Sequence, residues 1–274
     1  MSWAVRILVG LAAFLLNTLV EMETLALKIV VTPVLILAAS VAGRRWGQAV
    51  SGWFVGLPLT SGPIAFFVAL EHGAGFAAAT ALGALAAAMA EAAFCLAYAH
   101  AARPGRWPLA LAAACVAFAA TAAVLQPLAL PVIPLAAIVF AALAVARRLM
   151  PRGSEARAMP PPRWDLPARM AIATLLVVLI TEGAPTLGPR WSGVLAAFPV
   201  YAAILTVFGH RSGPAAAVQV LRGLLLGLFG FAAFFLVLGS LIEGAGLALA
   251  FVAAIAVTAA IQTGSLVLVL RPRA

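Results

Sequence analysis

The chain has 274 residues, 65% hydrophobic and 9% charged, with a mean hydropathy of +1.15 and a formal net charge of +9. Soluble domains carry about 25% charged residues, so this composition excludes a water-soluble domain and makes lipid the main solvent. Two cysteines, Cys95 and Cys115, both in apolar runs, are too few for a disulfide framework or a cysteine zinc site.

Ten apolar stretches reach or approach the roughly 20 residues that cross a bilayer. They fall near 3–20, 26–43, 51–70, 75–100, 107–126, 130–148, 167–186, 191–209, 214–242 and 246–270. The first follows Arg6 as a signal peptide would, but no small-residue cleavage site precedes the polar patch at Asn17 to Glu23, so it reads as a first membrane span. Gln126-Pro127, Pro131 and Pro134 mark a tight turn between the fifth and sixth spans. The Arg- and Pro-rich stretch 149–166 is the one long loop, and it divides the spans five and five.

With the amino terminus inside, the inner side collects Arg44, Arg45, Arg103, Arg106, Arg147, Arg148, Arg169, Arg211 and the other loop arginines, and the outer side only Lys28 and Arg190. That asymmetry places both termini in the cytoplasm. It also accounts for the basic balance without a nucleic-acid partner. The expected partners are the lipid bilayer and a small-molecule or ion substrate that the sequence does not name. The expected location is a bacterial cytoplasmic (inner) membrane.

The third span carries Ser51-Gly-Trp-Phe-Val-Gly-Leu-Pro-Leu-Thr-Ser-Gly-Pro63. Pro58 and Pro63 each lack a backbone donor, so this stretch should break its helix. Broken backbone at membrane depth is tolerated only where protein or a watery cavity surrounds it. A shift of 141 positions repeats the pattern without a gap: Gly47 falls on Gly188, Ser51 on Ser192, Gly52 on Gly193, Pro58 on Pro199, Phe67 on Phe208 and Lys28 on Arg169. Since five spans separate the copies, the second enters the membrane from the opposite side. The expected fold is therefore all-α: a single polytopic domain, 1–274, of about ten helices in two inverted five-helix repeats, 1–126 and 127–274. That architecture is common among secondary transporters.

Few groups within the spans can carry chemistry. Glu91 lies deep in the fourth span and Arg222 in the ninth, its repeat partner. Each lies eight or nine residues from the inner end of its span, roughly 12–13 Å in a helix. The small residues around them (Gly83, Ala86 to Ala88; Gly223, Gly227, Gly230) permit close approach, so the two are expected to face each other. An intramembrane carboxylate is a functional candidate for a proton, cation or cationic substrate. The competing readings are a static ion pair and an Arg222 that snorkels to the inner surface.

Thr60, Ser61 and Tyr201 follow the matched prolines and could bind an ion or polar group at the helix breaks. The alternative is hydroxyls bonded back to their own helix. Gly52-x-x-x-Gly56 and Gly193-x-x-x-Ala197 read as packing faces. Asn17, Gln126, Gln219, Gln262 and Thr263 read as interhelical hydrogen-bonding groups. His72, His100 and His210 end helices on different sides, which rules out one shared metal site. No cofactor, metal or catalytic arrangement is expected, and no enzyme.

The segment Gly188-Pro-Arg-Trp-Ser-Gly-Val-Leu-Ala-Ala-Phe-Pro-Val-Tyr-Ala-Ala resembles the GlpM family of small bacterial inner-membrane proteins, which carry a Gly-Leu-x-x-x-Phe-Pro-x-x-Ala pattern. The resemblance covers Arg169 to about Leu238 and, more faintly, Lys28 to about Tyr98, where Gly-Leu-Pro-Leu replaces Phe-Pro. It implies units that insert in both orientations, like the small multidrug-resistance type of transporter, and here a fused, inverted pair. It implies no substrate, and the glutamate of the small multidrug transporters' first helix is missing. Together these readings point to a secondary transporter working by alternating access, possible proton coupling included. The alternative is a non-transporting scaffold or accessory subunit in envelope or lipid assembly.

Overall fold

The computed structural model describes residues 30–59, 61–125, 128, 130–151, 164–183 and 198–270. The predicted first span, Lys28, Thr60, Gln126, most of the Arg-rich loop and the stretch 184–197, with Gly188, Ser192, Gly193 and Ala197, lie outside the described residues. The described residues are helical, with no strand among them.

The helix through residues 30–46 is α1. There follow α2 (Gln48–Val55), α3 (Ser61–His72), α4 (Ala74–Ala101), α5 (Trp107–Leu125), α6 (Val132–Leu149), α7 (Asp165–Gly183), α8 (Val200–Arg211), α9 (Pro214–Ala245) and α10 (Leu247–Leu270). Five of these, α4, α5, α6, α9 and α10, are long and apolar enough to cross a membrane. Several such helices fit a multi-pass membrane protein. The expected count of about ten is not reached among the described residues. One reason is physical: the third predicted span is two short helices, α2 and α3, separated at Pro58.

The bundle is built around α9. Pro214 occupies its first turn, where a missing N–H costs nothing. Its 32 residues extend about 48 Å, longer than the roughly 30 Å hydrocarbon core, so it must tilt or project. In its most apolar window 56% of the residues are buried, against 17% for α5, which makes α9 the central helix and α5 a lipid-facing one. It packs against α2, α4, α6, α8 and α10. The second hub, α4, packs on α3, α5, α6 and α9.

Lipid supplies no hydrophobic drive between helices, so small residues and polar contacts must hold them. The tightest contact joins α2 to α9, glycine against glycine. A methyl group on Gly52 would overlap the Val220 carbonyl, and one on Gly223 would overlap the Ala49 carbonyl. One turn on, a methyl on Gly56 would lie 2.7 Å from the Gly227 Cα. The predicted packing face Gly52-x-x-x-Gly56 thus meets Gly223-x-x-x-Gly227 backbone to backbone. A chain of side chains closes the same junction to α10. The Trp53 indole donates to Ser265 Oγ at 2.8 Å, Ser265 Oγ donates to Gln262 Oε1 at 2.8 Å, and Gln262 Nε2 donates to the Gly227 carbonyl at 2.8 Å.

Residues that the charge count put on one side meet at one end of the bundle. Asp165 pairs with Arg169, 2.9 Å from its Nε, and with Arg44 at 3.2 Å. Arg211 lies over the Trp164 ring at 4.7 Å, and Arg169 over Phe208 at 5.0 Å. His210, buried at the end of α8, holds Tyr98 Oη at 3.1 Å through Nδ1 and the Arg103 carbonyl at 2.9 Å through Nε2. A carbonyl only accepts, so Nε2 carries the proton and Nδ1 accepts from Tyr98. Near the other end, Glu243 approaches Gly75, whose added methyl would lie 3.4 Å from Oε1.

Candidate functional site at the two proline positions

At each of the two sites, the break at Pro58 and the helix start at Pro199, a proline cannot donate. In the first, Gly56 N–H still reaches the Gly52 carbonyl, but Leu57 N–H turns to Phe54 at 3.3 Å and Leu59 N–H to Leu57 at 2.8 Å. The regular ladder resumes when Gly62 N–H donates to the Pro58 carbonyl at 2.9 Å. At the second, Val200 N–H donates to Phe198 at 2.8 Å, and the helix then begins as Ala203 N–H donates to the Pro199 carbonyl at 2.9 Å. In both places the proline carbonyl is the first acceptor of the helix that follows. Pro63, two residues into α3, sits in a first turn that tolerates it.

The end of α2, ahead of Pro58, lies against the start of α8. Val55, at the end of α2, packs against an apolar cluster formed by α1, α7, α8 and α9, and Phe54, Phe198 and Tyr201 pack against that same cluster. Phe198 also stands edge-on to Phe94 of α4 and to Phe118 of α5, with centroids 6.1 and 5.5 Å apart. Phe94 is three residues from Glu91, about 4.5 Å along the helix. Glu91 is thus one turn from the helix face that touches Phe198, beside Pro199.

The predicted site residues separate into groups. Glu91, half-buried, makes no hydrogen bond or ion pair among the described residues. Arg222 does not pair with it: its guanidinium donates to the Pro151 carbonyl at the end of α6, at 3.0 Å, the outward reach that snorkelling implies. Tyr201 shares a 3.2 Å hydrogen bond with the buried Thr32 of α1. Ser61, first residue of α3, keeps its hydroxyl buried without a hydrogen-bond partner among the described residues. This contrasts with Thr80, Thr174, Ser240 and Thr263, which bond back to carbonyls four residues earlier in their own helices.

Sequence reasoning named Gln262 only as an interhelical hydrogen-bonding group, and it does bond across to Gly227. It missed Thr32, and it also missed Trp53 and Ser265 as members of that network. A signal existed for Trp53, an indole donor inside an apolar run, which needs an acceptor when buried.

No family model, curated protein or solved structure matches this chain.

Proposed function

We propose that the protein is a secondary transporter of a cytoplasmic membrane, with two inverted halves moving about the two proline positions, Pro58 and Pro199. The observation that carries this reading is the shared geometry of the two sites: α3 and α8 each start from a proline carbonyl, 141 positions apart, and the end of α2 packs against the same cluster as the start of α8. Broken helices in corresponding positions of two halves are the strongest sequence pointer to a transporter's binding site.

Other features support an internal repeat. Shifted by 141, α4 corresponds to 215–242 and α5 to 248–266, close to the bounds of α9 and α10. Gly105 and Gly246, which precede α5 and α10, correspond too, and both have positive φ, 71° and 81°. Two of the neighbours of α4, α3 and α5, correspond to α8 and α10, two of the neighbours of α9. The resemblance to the GlpM family accords with the same proposal. In this reading Ser61 and Tyr201 offer hydroxyls to the substrate, and Glu91 carries the coupling proton or faces a cationic group.

A second reading, a static scaffold, is favoured by one observation: the α2–α9 junction is backbone against backbone, with no room for a ligand there. A thermal-shift panel of metabolites, lipids and cationic drugs across pH separates the two. A ligand of the folded state raises the melting temperature with its concentration. Transport expects a compound that stabilises the parent and not Glu91→Gln. No shift with any compound, together with a lower melting temperature for Glu91→Gln alone, would identify Glu91 as structural.

A further inference from the structure

An apolar groove of about 510 Å³ runs along the outside of the bundle between α1, α2 and α10, within the roughly 300–1,000 Å³ of ordinary ligand pockets. Val34, Leu37, Val41, Trp46, Trp53 and Leu266 line it. Val34 and Trp46 are twelve residues apart on α1, about 18 Å in a helix, close to the depth of one leaflet. Trp53 is fixed as a wall by its bond to Ser265, so the groove does not depend on a mobile side chain.

The end of the groove at Trp46 is basic. Arg45 lies over the Trp46 ring, 5.4 Å from its centroid, and makes no hydrogen bond or ion pair among the described residues. Arg44 beside it shares Asp165 with Arg169, so one carboxylate serves two guanidinium groups. Trp46 is 58% exposed, as an aromatic at the headgroup level would be.

We infer that this groove is a binding site for an anionic glycerophospholipid. The acyl chain lies along Val34, Leu37 and Val41, and the phosphate sits on Arg45 at the Trp46 end. A zwitterionic lipid fits the same apolar walls but leaves the basic end uncompensated. A juxtamembrane arginine contributes enough to favour an anionic headgroup about fivefold.

The test is native mass spectrometry of the purified full chain in detergent, with equal amounts of phosphatidylglycerol and phosphatidylcholine of matched chains. The parent retains phosphatidylglycerol about fivefold over phosphatidylcholine, and Arg45→Gln brings the two to parity. Ala38→Phe, which fills the groove from α1, loses both lipids; Leu37→Trp, from the exposed side, does the same if Ala38→Phe does not fold. Equal retention by the parent overturns the charge argument. Retention unchanged in both filling variants means the arginines hold headgroups at the surface only. Retention of neither lipid means the groove is closed by the chain itself, and competition by glycerol 3-phosphate would mean a soluble phosphate site; each overturns the inference.

Discussion

Replacing Gly223 by alanine tests the central junction directly. The new methyl meets the Ala49 carbonyl and the Trp53 amide nitrogen, both backbone atoms of α2 that cannot rotate away. The helices must separate, and a gap of 0.5–1 Å already forfeits a quarter to a half of each dispersion contact along the interface. Overpacking typically costs about 1–3 kcal/mol, and a backbone-limited site belongs at the top of that range. Helix propensity returns up to about 1 kcal/mol when glycine becomes alanine, leaving a net loss of about 2 kcal/mol. Gly83→Ala is the control: nothing lies within 4 Å of its added methyl, so the propensity gain stands alone. Titration with a denaturing detergent, followed by helical circular dichroism, gives both values. The reasoning is refuted if Gly223→Ala unfolds at the same midpoint as Gly83→Ala.

Gly230→Ala presses on the Gln262 amide, a side-chain end that can move, so it should cost less than Gly223→Ala in the same titration. Gln262→Leu removes the bond to Gly227 and should cost about 0.6 kcal/mol, the membrane average for one such bond, up to about 1.7. Asp165→Asn leaves the buried Arg169 without its anion and should cost about 3–5 kcal/mol. Arg44→Ala, whose side chain is 42% exposed, should cost less than about 1 kcal/mol. Similar losses for those two variants would contradict the assignment of Arg169 as the dependent partner. Tyr98→Phe leaves His210 Nδ1 without its donor and should lower stability by about 1–3 kcal/mol in thermal melts.

The parts of this architecture that a sequence can display are those set by local chemistry. Pro58 was legible as a break, and Pro199 as a point where a helix starts, because a proline lacks its donor whatever surrounds it. The turn ahead of α6 was legible from Pro131 and Pro134 for the same reason. The grouping of Arg44, Asp165, Arg169 and Arg211 at one end follows from charge avoiding lipid. Partner choice was not legible. A helix in lipid is apolar on every side, so periodicity does not distinguish the face toward a neighbour from the face toward acyl chains. Gly52-x-x-x-Gly56 could be read as a packing face, but nothing local named Gly223 and Gly227 as its partner. Equal depth suggested Glu91 for Arg222, whereas a long flexible guanidinium stem let Arg222 reach the Pro151 carbonyl instead. The contact between His210 and Tyr98 joins residues 112 positions apart, and neither alone announces the other.

The proposal that two halves alternate about the two proline positions is tested most directly at Ser61. In a background with Cys95 and Cys115 replaced by alanine, Ser61→Cys is reacted with a membrane-impermeant thiol reagent from each side of sealed vesicles. Ser212→Cys in the α8–α9 turn and Gly244→Cys near the end of α9 mark the two sides. Alternating access predicts that Ser61→Cys reacts from both sides while each marker reacts from one. Reaction from a single side, or from neither, would contradict it and leave the bundle as a static scaffold.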